Sequence, residues 1–392
     1  MAISDVATFA HLTPEQVDEL GREFDQIRRD IEESRGAKDA AYIRKMIGIH
    51  RKLVVGGRVT LFASAFPPAW IAGTAMLAAG KILENMEIGH NVMHGQWDWM
   101  NDPEIHSGTW EWDTTCPAEQ WKHSHNYVHH TYTNVIGKDN DVGYGILRVT
   151  KDQKWHPANL GQPVYNALLA LLFEWGVALH DLDIEAIRKR EKDPAEMKRQ
   201  LKGIWRKVRK QVAKDYLIFP ALTGPQFVST LTANATANVI RNLWSYMIIF
   251  CGHFPDGAEK FTEEELENET QAEWYLRQLL GSANFTGNRF LHIASGSLGY
   301  QIEHHLFPDL PSNRYPEIAE RVKALCEKYD LPYTIGPLHR QYGQTLRTIM
   351  KLSLPGKRTT SEPEPPERTK RRATPAELRS YAGPKAPQAS AA

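Results

Sequence analysis

Cysteine is nearly missing from this chain. Three occur in 392 residues, Cys116, Cys251 and Cys326. They lie far apart and form no C-x-x-C pair, which excludes iron–sulfur, thioredoxin-like and zinc-ribbon sites. An excess of one charge is missing as well. Lys plus Arg and Asp plus Glu each number 47, so nucleic acid is not expected as the main partner. No apolar run stands near the start; the first begins near residue 52, so no cleavable signal peptide is expected. The mean hydropathy of −0.47 is low for a membrane protein and fits a few spans under a large polar cap better than a polytopic transporter. No linker divides the middle. The expected organisation is an amphipathic helical extension over 1–50, one catalytic body over 51–354, and a tail over 355–392. The tail's Pro, Glu, Lys, Arg and Ala content predicts disorder.

Apolar stretches do occur. Thr13, Pro14 and Gln16 form a capping-box start for an amphipathic helix over 12–36. Residues 52–89 contain two apolar arms broken at Pro67–Pro68, and the second, 69–88, has the roughly 20 residues that a membrane span needs. Residues 216–253 are too long for one crossing and divide into arms at 216–233 and 237–253. Residues 163–182 are apolar too, but the Lys- and Arg-rich block at 183–215 follows them. A crossing there would break the positive-inside bias, so 163–182 is assigned to an interface or cap. The expected fold class is therefore all-α and integral to the membrane, with about four transmembrane helices in two hairpins and a helical cytosolic cap.

Histidine is the abundant functional group. Seven of the 16 histidines sit in three short motifs: His90 and His94 in HNVMH, His125, His129 and His130 in HNYVHH, and His304 and His305 in QIEHH. Each motif lies close to an apolar segment. On a helix, residues three or four apart share a face, so each motif presents imidazoles together. One H-x-x-x-H pair is a weak signal, whereas three such motifs in one chain point to metal. Imidazole suits Zn, Cu, Fe or Ni, and structural zinc needs only four ligands. The seven histidines with His253 and Gln301 make nine candidates, enough for two metals with open positions. Two irons are the natural reading.

With these motifs, and with the flanking stretches HHTYTNVIGKDNDVGYG and HHLFPDLPSNRY, the chain resembles the integral-membrane fatty acyl desaturases. Within that family it is most similar to actinobacterial acyl-CoA desaturases. The resemblance implies a non-haem diiron centre with His90, His94, His125, His129, His130, His304 and His305 as iron ligands. It also matches His253, in FCGHF, to a histidine at the cytosolic end of the last span. Gln301 stands where many relatives have histidine, and direct, water-mediated and absent ligation all stay open for it. The implied activity is O2-dependent insertion of a cis double bond into an acyl-CoA at the cytoplasmic face of the cell membrane. Delta-9 chemistry on stearoyl-CoA is the best match on overall resemblance. Chain length and bond position stay open.

Metal-bound histidines usually donate their second N–H to a carboxylate or carbonyl. Asn134, Asp139, Asp141 and Glu303 are the candidates, with plain turn chemistry the alternative for the Asn and Asp residues. His106, His123 and His292 read as ordinary histidines, and His11, His50, His156, His180 and His339 as structural. Trp97, Trp99, Trp110, Trp112 and Trp121 either pack and anchor or line an acyl tunnel. The basic block either contacts CoA phosphates or lipid, or is a solvated face. Ala391–Ala392 is a candidate protease signal.

The sequence has no HPGG motif of a fused cytochrome b5, no Rossmann fingerprint and no cysteine cluster. Electrons are therefore expected from a separate NAD(P)H-dependent reductase or ferredoxin-type donor. Two alternatives stand beside the desaturase: a diiron hydroxylase acting on an alkyl or lipid chain, and a non-enzymatic membrane metal-binding protein.

Overall fold

The computed structural model describes residues 8–180, 182 and 193–356. Most of the expected tail, its terminal alanines, and part of the basic block lie outside them. The described chain is mostly helical. Helix α1 (Pro14–Ser34) starts at the Thr13–Gln16 capping box, with Pro14 in the first turn. Its buried side chains, Val17, Leu20, Phe24, Ile27 and Ile31, recur every three or four residues, as a one-sided helix requires. They join the largest apolar core.

α2 (Ala37–Thr60) and α3 (Pro67–Leu83) pack side by side as a hairpin. α3 runs on through a wide π turn, Glu84–His90, to Met93. A second π segment, Lys122–His129, extends the short helix α4 (Ala118–Trp121). α5 (Gln162–Leu171) and α6 (Phe173–His180) follow, then α7 (Pro194–Val212) and the long helix α8 (Phe227–His253). α9 (Gln271–Gly281) packs on α1. There Gly21 permits the approach, because a Cβ on it would lie 2.8 Å from the Cβ of Ala272. Strand β1 (Asn284–Thr286) pairs in parallel with β2 (Ile335–Pro337). Between the strands run α10 (Arg289–Ala294), α11 (Gln301–Leu306) and α12 (Tyr315–Lys328). α13 (Leu338–Leu352) follows β2.

The fold departs from the membrane architecture expected above. Among the described residues, no helix is long and apolar enough to cross a membrane. Side-chain chemistry gives the reason. α2 is 24 residues long but carries Arg44, Lys45, Arg51, Lys52 and Arg58. α3 is apolar but has 17 residues, and its π extension adds Glu84 and Glu87. α8 has 27 residues, interrupted by Asn234, Asn238, Arg241 and Asn242. A span needs about 20 predominantly apolar residues. The break expected near 234–236 falls instead at 223–226, so residues 227–253 form one continuous helix and the first arm is cut short at Leu222. The apolar stretch expected over 163–182 holds two short helices, Gln162–Leu171 and Phe173–His180, broken at Leu172.

Candidate metal centre

Four structural elements bring their histidines to one buried point. The π extension of α3 supplies His90, with His94 just after it. The π segment after α4 supplies His125 and His129, with His130 next. The C-terminal residue of α8 is His253, and α11 holds Gln301, His304 and His305. π turns recur at functional sites because their wider backbone re-aims side chains. Here the rings of His90 and His94 lie 4.6 Å apart and those of His125 and His129 lie 5.0 Å apart.

The donors sort into two neighbouring groups. In one, ligand atoms of His90, His94, His125 and His304 all lie within 4.8 Å of one another; in the other, those of His129, His253 and His305 do. His125, His129 and Asp141 form a third, overlapping set. His130 stands between the first two, stacked on His305 at 4.5 Å and 4.7 Å from His94. The Nε2 atoms of His94, His125, His129, His130, His304 and His305 are buried without a hydrogen-bond partner. A buried polar atom left unpaired costs about 1–3 kcal/mol, so six such nitrogens gathered in and between two neighbouring groups are a strong mark of bound cations.

The second nitrogen of several of these rings is held, although Nδ1 of His130 is also buried without a partner. Asp139 Oδ2 is 3.0 Å from His129 Nδ1. Asp141 Oδ2 lies 3.5 Å from His125 Nδ1, and its Oδ1 is 3.0 Å from His180 Nε2. Asn91 Oδ1 meets His90 Nδ1 at 3.0 Å, Thr133 Oγ1 meets His305 Nδ1 at 3.2 Å, and the Tyr315 hydroxyl meets His304 Nδ1 at 3.2 Å. Such contacts fix ring orientation and leave Nε2 free for a metal. Gln301 Nε2 is 3.1 Å from His253 Nε2, and its Oε1 is buried without a partner. Gly252 makes room for this amide, since a Cβ there would sit 2.7 Å from Gln301 Cδ.

Burial dominates the electrostatics. It pushes His90 down to about 3, with His125 adding to the shift. It also holds His94, His130, His253, His304 and His305 well below the ordinary imidazole value, reinforced by their neighbouring rings. These rings stay neutral, the form that ligates metal. His129 goes the other way. Burial lowers it, but Asp139 and Asp141 together outweigh burial and lift it to about 9. Asp141 is held well below the carboxylate range, burial being overcome by His129, His125 and His180.

Of the four residues expected beside the histidines, Asp139 and Asp141 contact them. Asn134 and Glu303 bond elsewhere. Asn134 donates to Glu259 O and Gly281 O, and Glu303 accepts from Asn284 and Tyr333. Asn91, Thr133, Tyr315 and His180 were not anticipated. Asn91 and Thr133 lie inside or beside the motifs, so the signal was present but unspecific; His180 had none. Trp112 and Trp121 line a mostly apolar cleft reaching the histidines, together with Tyr144, Phe173, Val177 and Ile249. Trp97 is packed in a separate core.

Comparison with known proteins agrees with this geometry. A family model for fatty acid desaturases matches residues 65–337. The chain is 55% identical over 377 residues to an NADPH-dependent stearoyl-CoA 9-desaturase of Mycobacterium tuberculosis, covering 95% of this chain and 88% of that protein. It is 25% identical over 290 residues to an sn-1 linoleoyl-lipid 6-desaturase of Synechocystis sp., covering 71% and 78%. It is 26% identical over 249 residues to the mouse fatty acid desaturase 2-like protein FADS2B, covering 60% and 46%. The chain belongs to the fatty acid desaturase family.

Proposed function

We propose that this chain is an O2-dependent acyl-CoA desaturase that holds two non-haem irons in its histidine cluster and forms a cis double bond, with stearoyl-CoA as substrate and Delta-9 as the position. The observation that carries this reading is the convergence of six unpaired, buried Nε2 atoms, five of them in two adjacent donor groups and that of His130 between the groups, beside an apolar cleft. An all-imidazole set suits iron among the transition metals, and the Mycobacterium tuberculosis relative supports substrate and position.

The proposed ligands are His90, His94, His125 and His304 in one group and His129, His253 and His305 in the other, with His130 between them and Gln301 beside His253. Bound iron would supply the activation of O2, the oxidant, that lets hydrogen be removed from an unactivated methylene. The chain's own residues do the rest. Asp139, Asp141, Asn91, Thr133 and Tyr315 orient the rings. Trp112, Phe173, Val177 and Ile249 give an extended alkyl chain an apolar bed, which fixes the carbons presented to the metals and keeps water out.

Electrons come from a separate NAD(P)H-dependent reductase or ferredoxin-type protein. The protein works at the cytoplasmic face of the cell membrane. That reading is supported by exposed apolar side chains at the two helical turns, among them Phe62, Phe66, Leu222 and Val228.

Expression with a reductase in a desaturase-deficient host, followed by gas chromatography–mass spectrometry of fatty acids, tests the proposal. A new monoene unsaturated at carbon 9, missing with His129→Ala, is expected. A hydroxylated acid would transfer the site to the rival oxygenase reading.

A further inference from the structure

α8 turns one stripe of side chains toward the cleft. Arg241, Ser245, Ile249 and His253 recur every four residues and all line it, as neighbours on one helical face do. At the standard rise, Arg241 stands about 18 Å from His253 along the axis. The far end is closed: Arg241, Asn242 and Asn85 are buried, as is Glu174 of α6. Toward the metal centre the lining residues Ser124, His125 and Val177 are only half-buried.

The chemistry changes along this stripe. Around Ile249 the walls are apolar. At the closed end, Arg241 Nη2 lies 2.6 Å from Glu174 Oε1, Nη1 donates to Asn85 Oδ1 at 2.9 Å, and Nε donates to Asn242 Oδ1 at 2.9 Å. Glu174 Oε2 and Ser245 Oγ have no hydrogen-bond partner there. A methyl terminus pressed against them would leave them unpaired, which buried polar groups resist.

We propose that the Arg241–Glu174 pair is the polar floor of the acyl site and that Ser245, one turn nearer the metals, sets the depth left above it. Together they determine the length of chain accepted beyond the reacting carbons. They act on chain length and leave double-bond position, counted from the thioester, unchanged. The inference rests on the desaturase reading.

The test is turnover of a series of saturated acyl-CoAs, from myristoyl to arachidoyl, by iron-loaded protein with a reductase. Ser245→Leu fills the cleft and shifts the ratio of kcat/KM toward shorter chains by about tenfold, the scale on which a pocket discriminates small differences in alkyl length. The double variant R241M/E174L shifts it toward longer chains. Both members are replaced because removing one would strand a buried charge. Wild-type helicity and metal content establish that each variant is folded; if the double variant is not, Ser245→Leu decides alone. An unshifted chain-length ratio in a folded variant overturns the inference, as does loss of turnover on every chain length. Failure of the wild type to desaturate any acyl-CoA would sink the desaturase reading instead.

Discussion

His129 Nδ1 lies 3.0 Å from Asp139 Oδ2 while its Nε2 points, unpaired, into the histidine cluster. The carboxylate thereby fixes which nitrogen faces the metal. Asp139 is itself held by the backbone N–H groups of Asn134 at 2.8 Å and Asp141 at 2.9 Å. Asp139→Asn keeps the shape and removes the charge, so metal affinity should fall about 10–100-fold with helicity unchanged. Titration of metal-free protein with ferrous iron, followed by circular dichroism, checks this; unchanged affinity would show that Asp139 is only a turn residue.

The two donor groups should lose metal separately. His94→Ala belongs to one and His305→Ala to the other, and each should reduce bound iron by about half in protein purified without oxygen. Metal analysis reads the ratio directly. Full occupancy in either variant would contradict the assignment.

Acid should weaken the metal-free protein in a defined window. An unfolded imidazole titrates near 6.5, whereas folded His90 stays neutral down to about 3. Between these values the unfolded state binds more protons, so stability falls as pH drops from about 6.5 toward 3. His129 has the opposite sign. Raised to about 9, it stabilises fully below 6.5, and that contribution disappears as pH rises through 9. Thermal melts of chelated wild type and His90→Asn across this range separate the contributions. The variant should lose less stability in acid, and identical profiles would refute the argument.

Gly252→Ala should disturb Gln301 specifically, because the new methyl would press on Gln301 Cδ. Activity should fall at least tenfold, on the scale at which misplacing a catalytic group by about 1 Å costs rate. Gln301→Ala is the comparison. If it is as active as wild type, Gln301 is dispensable and the Gly252 effect is steric alone.

Core packing gives a stability test away from the metals. Phe24 is fully buried between Tyr275 and Phe307, with ring centroids 5.1 and 6.4 Å away. Phe24→Ala should cost about 3–5 kcal/mol, measured by denaturant unfolding of metal-loaded protein.

The histidine cluster was legible because its motifs are local: spacings of three and four residues place imidazoles together whatever the tertiary fold. Asp139 and Asp141 were legible for the same reason, ten and sixteen residues from the rings they touch. Tyr315 was not, since a tyrosine gives no sign of which ring nitrogen it will meet. Glu303 was misjudged because its neighbours in sequence turn the other way, and its carboxyl bonds to Asn284 and Tyr333. The membrane hairpins were misread because the apolar runs were given more weight than the polar residues they carry; in α8, Asn234, Asn238, Arg241 and Asn242 are all buried. Those residues serve packing and the cleft.

The most direct test is the mass of the product formed from stearoyl-CoA in a single turnover of purified, ferrous-loaded protein with O2 and a reductase. The account predicts an acyl chain lighter by two hydrogens, and none from His129→Ala. A product heavier by one oxygen, or O2 consumed with the acyl chain unchanged, would contradict it.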